Sequence, residues 1–288
     1  MSFIPHTPDE INEMLATIGE SSINALFDEI PASLIASGNI YEIGESQTEQ
    51  QVMRLMQARA AQDDGYLCFL GAGAYEHYIP AAVWDVVSRG EFLTSYTPYQ
   101  AEASQGTLQV IYEYQSMMTQ LTAMEVSNAS LYDGATALAE AVLMAVRANT
   151  KKTGKKILCM GAIHPYYHQT VANIVSHQGI VLSTHPTDPE TGQFLADFSE
   201  IDWSDVVAVI IPQPNFLGVI EEVDAITRLA HQNQSFVIAV VNPTVLTLVT
   251  PPGEWGDTGA DIAVGEGQPL GVPLASGGPY FGFMTTRK

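Results

Sequence analysis

The stretch Thr94-Ser95-Tyr96-Thr97-Pro98-Tyr99-Gln100-Ala101-Glu102-Ala103-Ser104-Gln105-Gly106 gathers phenols, amides, a carboxylate and several hydroxyls around one proline. Pro98 disfavours helix at Thr97, so the segment reads as an extended loop feeding the helix that follows. A loop on a rigid scaffold can aim such groups into a cleft. It reads equally as an ordinary helix lead-in, with Glu102 favoured by the positive end of the helix.

Five further segments carry candidate chemistry. Asp133-Gly134-Ala135-Thr136-Ala137 follows a strand candidate and opens a helix, where free N–H groups and small residues make a phosphate cradle. Asp133 can instead be a plain N-cap, which satisfies the same donors and puts a negative charge where a phosphate would sit. In His164-Pro165-Tyr166-Tyr167-His168 the two histidines could approach a metal ion or stack on a flat aromatic ring. No third ligand falls at metal-site spacing, and the segment also reads as a polar strand-to-helix turn. Pro212-Gln213-Pro214-Asn215-Phe216-Leu217-Gly218, Asn242-Pro243 and Gly265-Glu266-Gly267-Gln268 each follow a strand as well. Ligands of an open parallel sheet bind outside the carboxyl ends of its strands, so all these loops should share one rim. Gly71-Ala72-Gly73-Ala74 lacks the third glycine of a dinucleotide fingerprint.

The elements that must position these groups follow from periodicity. Short apolar runs predict strands over Leu67–Leu70, Ser127–Leu131, Lys156–Met160, Ile180–Ser183, Val206–Ile211, Phe236–Val241 and Tyr280–Thr285. Between them lie helical stretches at Ala135–Ala148, Tyr166–His177 and Val223–Gln232, with a long helix from Glu102 to Met124 before the first strand–helix pair. Strands apolar on both faces, alternating with helices, imply an α/β architecture with a mainly parallel sheet covered by helices. Residues 1–65 read as a helical N-terminal arm lying on a main domain of residues 66–288. In the arm, Thr7-Pro8-Asp9-Glu10 is an N-terminal capping signature and Gly19 a stop. A short helix is expected from Ser22 to Ile30, and Ser46-Gln47-Thr48-Glu49 repeats the capping-box spacing ahead of a helix towards Ala61.

Composition narrows the function classes. Eleven Lys+Arg against 32 Asp+Glu give a net charge of −21, which disfavours nucleic acid and anionic membrane surfaces as partners. No apolar run approaches the ~20 residues of a membrane span, and the N-terminus has no basic n-region, so the expectation is a cytoplasmic protein. Cys68 and Cys159 sit in apolar runs and read as buried free thiols. The chain stops directly after a strand candidate, which suggests that a C-terminal domain is missing.

Tyr96-Thr-Pro-Tyr-Gln-Ala-Glu-Ala-Ser-Gln-Gly106 resembles the signature of the glycine decarboxylase P-protein family. The resemblance runs on through Phe69–Tyr75, Leu131–Thr136, Pro212–Asn215, Pro251–Glu254, Gly265–Gly271 and Gly277–Gly282, and so covers the whole chain. In many bacteria that protein is split into two homologous subunits, and this chain looks like the first. The resemblance implies the aspartate-aminotransferase-like, fold type I architecture of pyridoxal-phosphate-dependent enzymes, here without its small C-terminal domain. It implies an oxidoreductase of the glycine cleavage system that decarboxylates glycine and passes the aminomethyl group to the lipoyl arm of the H-protein. The implied partners are glycine decarboxylase subunit 2, in a heterotetramer, and lipoylated H-protein, with a homodimer possible for the isolated chain. Tyr96, Tyr99, Gln100, Glu102 and Ser104 are then the candidates to face the shared cleft, at the subunit interface or along the lipoyl route.

A Schiff-base enzyme needs a lysine amine in the cofactor cleft. The five lysines here are Lys151, Lys152, Lys155, Lys156 and Lys288, four of them crowded into one helix-to-strand connection. In the family's catalytic subunit the lysine comes eight residues after an aspartate, and that count from Asp261 reaches Pro269. Asn242 stands where cofactor-binding relatives place an aspartate against the pyridine nitrogen. No catalytic residue is therefore assigned to this chain, and pyridoxal phosphate is expected on the partner subunit. Two rivals remain: a scaffold or regulatory protein with a degenerate enzyme fold, and an autonomous pyridoxal enzyme with an unusual lysine.

Overall fold

The first capping box forms as the sequence dictates. Thr7 Oγ1 accepts from the Glu10 backbone N–H at 3.3 Å, and Glu10 Oε2 accepts from Thr7 N–H at 2.7 Å. They open α1 (Pro8–Ile18), which Gly19 closes in the left-handed conformation at φ 83°. The computed structural model describes residues 5–35, 44–73, 76–100, 102–103, 106–275 and 277–288. They divide into two compact units, Met1–Leu67 and Cys68–Lys288.

Two expectations in the first unit need correction. Instead of a helix over Ser22–Ile30 there is one 3₁₀ turn, Asn24–Phe27, whose start is met by Ser22 Oγ accepting from Ala25 N–H at 3.2 Å. Thr48, not Ser46, caps α2 (Glu49–Ala60): the extended backbone of Thr48 aims its hydroxyl at Gln51 N–H, and Gln51 Oε1 returns a bond to Thr48 N–H at 2.8 Å. Among the described residues of this unit only Leu15 is buried.

In the second unit, α3 (Ala82–Val87) and α4 (Gly90–Leu93) precede the long α5 (Gly106–Thr122). Then follow β1 (Val126–Ser127), α6 (Gly134–Ala148), β2 (Lys156–Met160), α7 (Pro165–Val175) and β3 (Val181–His185). The chain continues through β4 (Val206–Gln213), α8 (Val223–Gln232), β5 (Phe236–Val241), β6 (Ile262–Glu266) and β7 (Gly282–Thr286). The sheet order is β1-β7-β6-β5-β4-β2-β3. Strands β2 to β6 run parallel, while β7 is antiparallel to β6 and β1.

Period-two alternation divides the core between the two faces of the sheet. Leu158 and Met160, with Val237, Ala239 and Val241, join the cluster containing Ile226 of α8 and Met118 of α5. Ile157, Cys159 and Ile238 join the cluster with Leu138 and Val142 of α6 and Val171 of α7. A register shift where β2 meets β4 sends both Val207 and Ala208 to the α6 side. Helix α6 buries five alanines besides Leu138, Val142 and Leu143, and the small side chains let it approach the sheet closely.

The predicted strand over Leu67–Leu70 is absent. Those residues form no ladder among the described residues, and Phe69 is 90% exposed. Cys68 is accordingly an exposed thiol; Cys159 is buried as expected, and burial pushes its pKa up to about 12. The strand expected over Ser127–Leu131 shrinks to β1 plus a single bridge from Leu131 to Gly282. Strand β6 was absent from the predicted set.

Candidate functional site

Strands β2, β4, β5 and β6 deliver Met160, Gln213, Val241 and Glu266 to one edge of the sheet, and the expected rim assembles there. Helix α6 joins it at its N-terminus. Asp133 has an extended backbone, and its Oδ1 accepts from Thr136 N–H at 2.7 Å in a capping box. The first helical N–H, that of Gly134, donates to Glu266 Oε2 at 3.0 Å across 132 residues of sequence. Glu266 Oε1 accepts from Gln268 N–H at 3.2 Å. The open alternative at this helix start thus resolves to the cap, with a second carboxylate beside it.

Tyr167, near the start of α7, covers the same spot. A Cβ built on Gly134 would overlap the Tyr167 hydroxyl and lie 2.9 Å from both Tyr167 Cζ and the Glu266 backbone nitrogen, so any side chain here forces a neighbour to shift. Burial, reinforced by the charges of Glu266 and Asp133, pushes the Tyr167 phenol above its ordinary pKa. Burial raises the Glu266 carboxyl too, against the bonds from Gly134 and Gln268, and the Asp133 charge adds to the rise.

His164 links the neighbouring loops. Its Nδ1 accepts from Tyr166 N–H at 3.1 Å, capping α7, so Nε2 carries the proton and donates to the Ala72 carbonyl at 2.9 Å. Its ring stacks on Tyr167 at 5.2 Å and meets Phe216 edge-on at 4.9 Å. No metal cluster exists among the described residues, and His164 is engaged by these partners rather than aimed with His168 at an ion. Behind Phe216 the loop is fixed by Glu221, 3% exposed, whose carboxylate accepts from Asn215 Nδ2 at 2.7 Å and Phe194 N–H at 3.0 Å. Burial raises the Glu221 carboxyl despite both donors.

Of the five sequence candidates, the four that are described, Tyr96, Tyr99, Gln100 and Glu102, make no contact with this cluster. Tyr96 and Tyr99 are 95% and 89% exposed, and Gln100 and Glu102 are exposed too. Among the described residues, none of these four side chains makes a hydrogen bond or ring contact. Ser104 lies outside the described residues, as do Ala74 and Tyr75 of the glycine motif. Because α5 begins at Gly106, Glu102 is not in its first turn. His164, Tyr167 and Glu266, which do come together, lie in the candidate segments His164–His168 and Gly265–Gln268 but not among the five residues assigned to the cleft.

All five lysines lie at the opposite edge of the sheet. Lys151, Lys152 and Lys155 precede β2, and Lys156 is its first residue. Lys152 Nζ donates to the Trp203 carbonyl at 2.6 Å and Lys155 Nζ to that of Gln178 at 3.0 Å. Lys288 follows antiparallel β7, whose last residue, Thr286, pairs with Ile262 at the start of β6. Pro269 does sit at the rim, in the 3₁₀ turn Gln268–Leu270 after β6. Asn242, at the end of β5, turns its Oδ1 onto Thr244 N–H at 2.9 Å and Thr244 Oγ1 at 2.7 Å.

This strand order, with one antiparallel strand inserted beside five parallel ones, defines the large domain of the aspartate-aminotransferase-like, fold type I class of pyridoxal-phosphate-dependent architecture. The rim residues do not fit that cofactor: among the described residues no lysine amine reaches the edge, Asn242 is engaged locally, and two carboxylates hold the start of α6. The sequence model described as "Glycine cleavage system P-protein" matches residues 1–288, and the chain belongs to that family. It is 58% identical, over its whole length, to a probable glycine dehydrogenase (decarboxylating) subunit 1 of Nitrosomonas europaea, covering 63% of that protein. The corresponding protein of Alcanivorax borkumensis is 57% identical, with 64% of its length covered. The chain thus spans a little under two thirds of these curated relatives. A crystal structure of glycine decarboxylase (P-protein) of the glycine cleavage system, in inhibitor-bound form, superposes on the whole chain with TM-score 0.82 at 39% identity, 63% of that chain being covered. A sphingosine-1-phosphate lyase of Burkholderia pseudomallei, 13% identical with TM-score 0.61 over 89% of this chain and 62% of its own, shares the fold alone.

Proposed function

We propose that this chain is the subunit of a split glycine decarboxylase that carries no Schiff-base lysine and acts only with a homologous second subunit. Together they decarboxylate glycine and pass the aminomethyl group to the lipoyl arm of the H-protein, as a cytoplasmic heterotetramer. The observation that carries the reading is the placement of every lysine at the amino edge of the sheet, opposite the rim where Pro269 stands. Pyridoxal phosphate then resides on the partner, and this chain supplies surface to the shared cleft. Residues 1–65 form the arm and 66–288 the large domain. Tyr96, Tyr99, Gln100, Glu102 and Ser104 face the cleft or the lipoyl route. The exposure of both phenols, with no partner among the described residues, supports that assignment.

The test is co-purification of a full-length version of this chain with subunit 2, followed by carbon dioxide exchange with glycine in the presence of H-protein. Activity that requires this chain supports the subunit reading. Full activity of subunit 2 alone, with this chain merely bound, would favour the scaffold reading instead.

A further inference from the structure

The start of a long helix offers unpaired N–H groups and partial positive charge to an anion. At α6 two of the first three N–H groups are already taken from within the chain. Gly134 N–H is bound by Glu266, Thr136 N–H by Asp133, and the Gly134 surface is covered by the Tyr167 ring. Glu266 reaches α6 from the end of β6, a distant part of the sequence, so its contact is not the local capping any helix makes with the residue before it. Its other oxygen is held by Gln268, which fixes the carboxylate towards the helix. Two carboxylates therefore stand where a phosphorylated ligand of this fold would bring a dianion.

We infer that Glu266 is a built-in counter-ligand, and that this chain shuts phosphorylated ligands out of its rim by occupying the anion position at α6 with its own carboxylate. The inference rests on the proposed residence of the cofactor on the partner subunit. It goes further in naming the side chain that makes the exclusion active. Loss of a lysine alone would leave a phosphate position open; here it is filled.

Removing the carboxylate should open it. Inorganic phosphate is the probe, read by ³¹P line broadening and by the Gly134 amide resonance in ¹⁵N-glycine-labelled protein. Glu266→Ala removes both the charge and the bond to Gly134 N–H, whereas Glu266→Gln removes the charge but keeps an acceptor. Phosphate affinity at neutral pH should rise by about tenfold or more in Glu266→Ala relative to the wild type, with Glu266→Gln between them, and the Gly134 amide should shift on titration. Equal affinity in the wild type and a folded Glu266→Ala overturns the assignment. Should the alanine variant not fold, Glu266→Gln decides alone, and an unchanged affinity there overturns it. A borohydride-stable pyridoxyl adduct on any lysine of the wild-type chain overturns both this inference and the reading beneath it. Absence of an adduct together with no gain of phosphate binding overturns this inference only.

Discussion

Gly134→Ala offers the sharpest stability test of how the rim is built. On an exposed helix the change would be favourable, since alanine loses about 0.4–1 kcal/mol less unfolded-chain entropy. Here the new methyl overlaps the Tyr167 hydroxyl and lies 2.9 Å from Tyr167 Cζ and the Glu266 nitrogen. Recovering ordinary contact needs a displacement on the order of 1 Å. The backbone at Glu266 belongs to the sheet, so the tyrosine must move, and its ring is stacked on His164 at 5.2 Å. Overpacking of this kind costs about 1–3 kcal/mol, and disturbing the Gly134–Glu266 bond adds about 1 kcal/mol. After the entropy offset the net loss is about 2 kcal/mol.

Urea unfolding followed by far-UV circular dichroism should show a lower midpoint at unchanged slope, and the melting temperature should fall by about 4–8 °C. The reasoning makes a second demand. Tyr167→Phe deletes the overlapped oxygen while keeping the ring, so Gly134→Ala placed on that background should lose at most about half as much stability. A Gly134→Ala protein as stable as the wild type would refute the close approach. Equal losses on the tyrosine and phenylalanine backgrounds would show that the hydroxyl is not the obstacle.

In a full-length pair with subunit 2, Tyr99→Phe and Gln100→Ala should lower glycine decarboxylation while co-elution of the subunits persists; unchanged kinetics in both variants would remove the proposed role of that loop. Asn149, 3% exposed, donates to the carbonyls of Val207 at 3.0 Å and Gln234 at 2.8 Å, so Asn149→Ala should cost about 2–3 kcal/mol in urea unfolding. Glu221 and Glu266 both have carboxyls raised by burial above the ordinary 4.5, so over the interval above that value the folded state holds more protons than the unfolded one. Stability should therefore fall as pH rises through that interval and level off beyond it, and a urea midpoint that rose across it instead would contradict the burial of these groups.

The elements best read from sequence are those whose local signals and tertiary surroundings agree. Lys156–Met160, Phe236–Val241 and Val223–Gln232 match their expected limits because each is apolar in the pattern its place in the sheet or on its face demands. Leu67–Leu70 fails for the complementary reason: its residues are as strand-like as those of β2, but a strand is a pairing, and no ladder forms there among the described residues. Composition specifies the tendency, while the partner that realises it lies elsewhere. The exposure of Cys68 follows from the same missing ladder. Strand β6 was overlooked because Gly265 and Glu266 at its end weaken the apolar run, although the register with β5 and β7 makes it central.

The sequence places Glu266 on the rim within Gly265–Gln268, but nothing along the chain singles out its carboxylate as the group that meets α6. Its bond to Gly134 spans 132 residues, and no spacing rule along the chain reports such a contact. Asp133 could be weighed as a cap because its acceptor and donor are three residues apart. The places of the five lysines along the chain are legible by counting, which requires no coordinates. Their physical meaning is not, because only the sheet topology sends all five lysines to one edge and the filled helix start to the other. A missing amine only withholds a bond, whereas the two carboxylates bonded at the start of α6 add negative charge there. The second change is the one that a single substitution at Glu266 can probe.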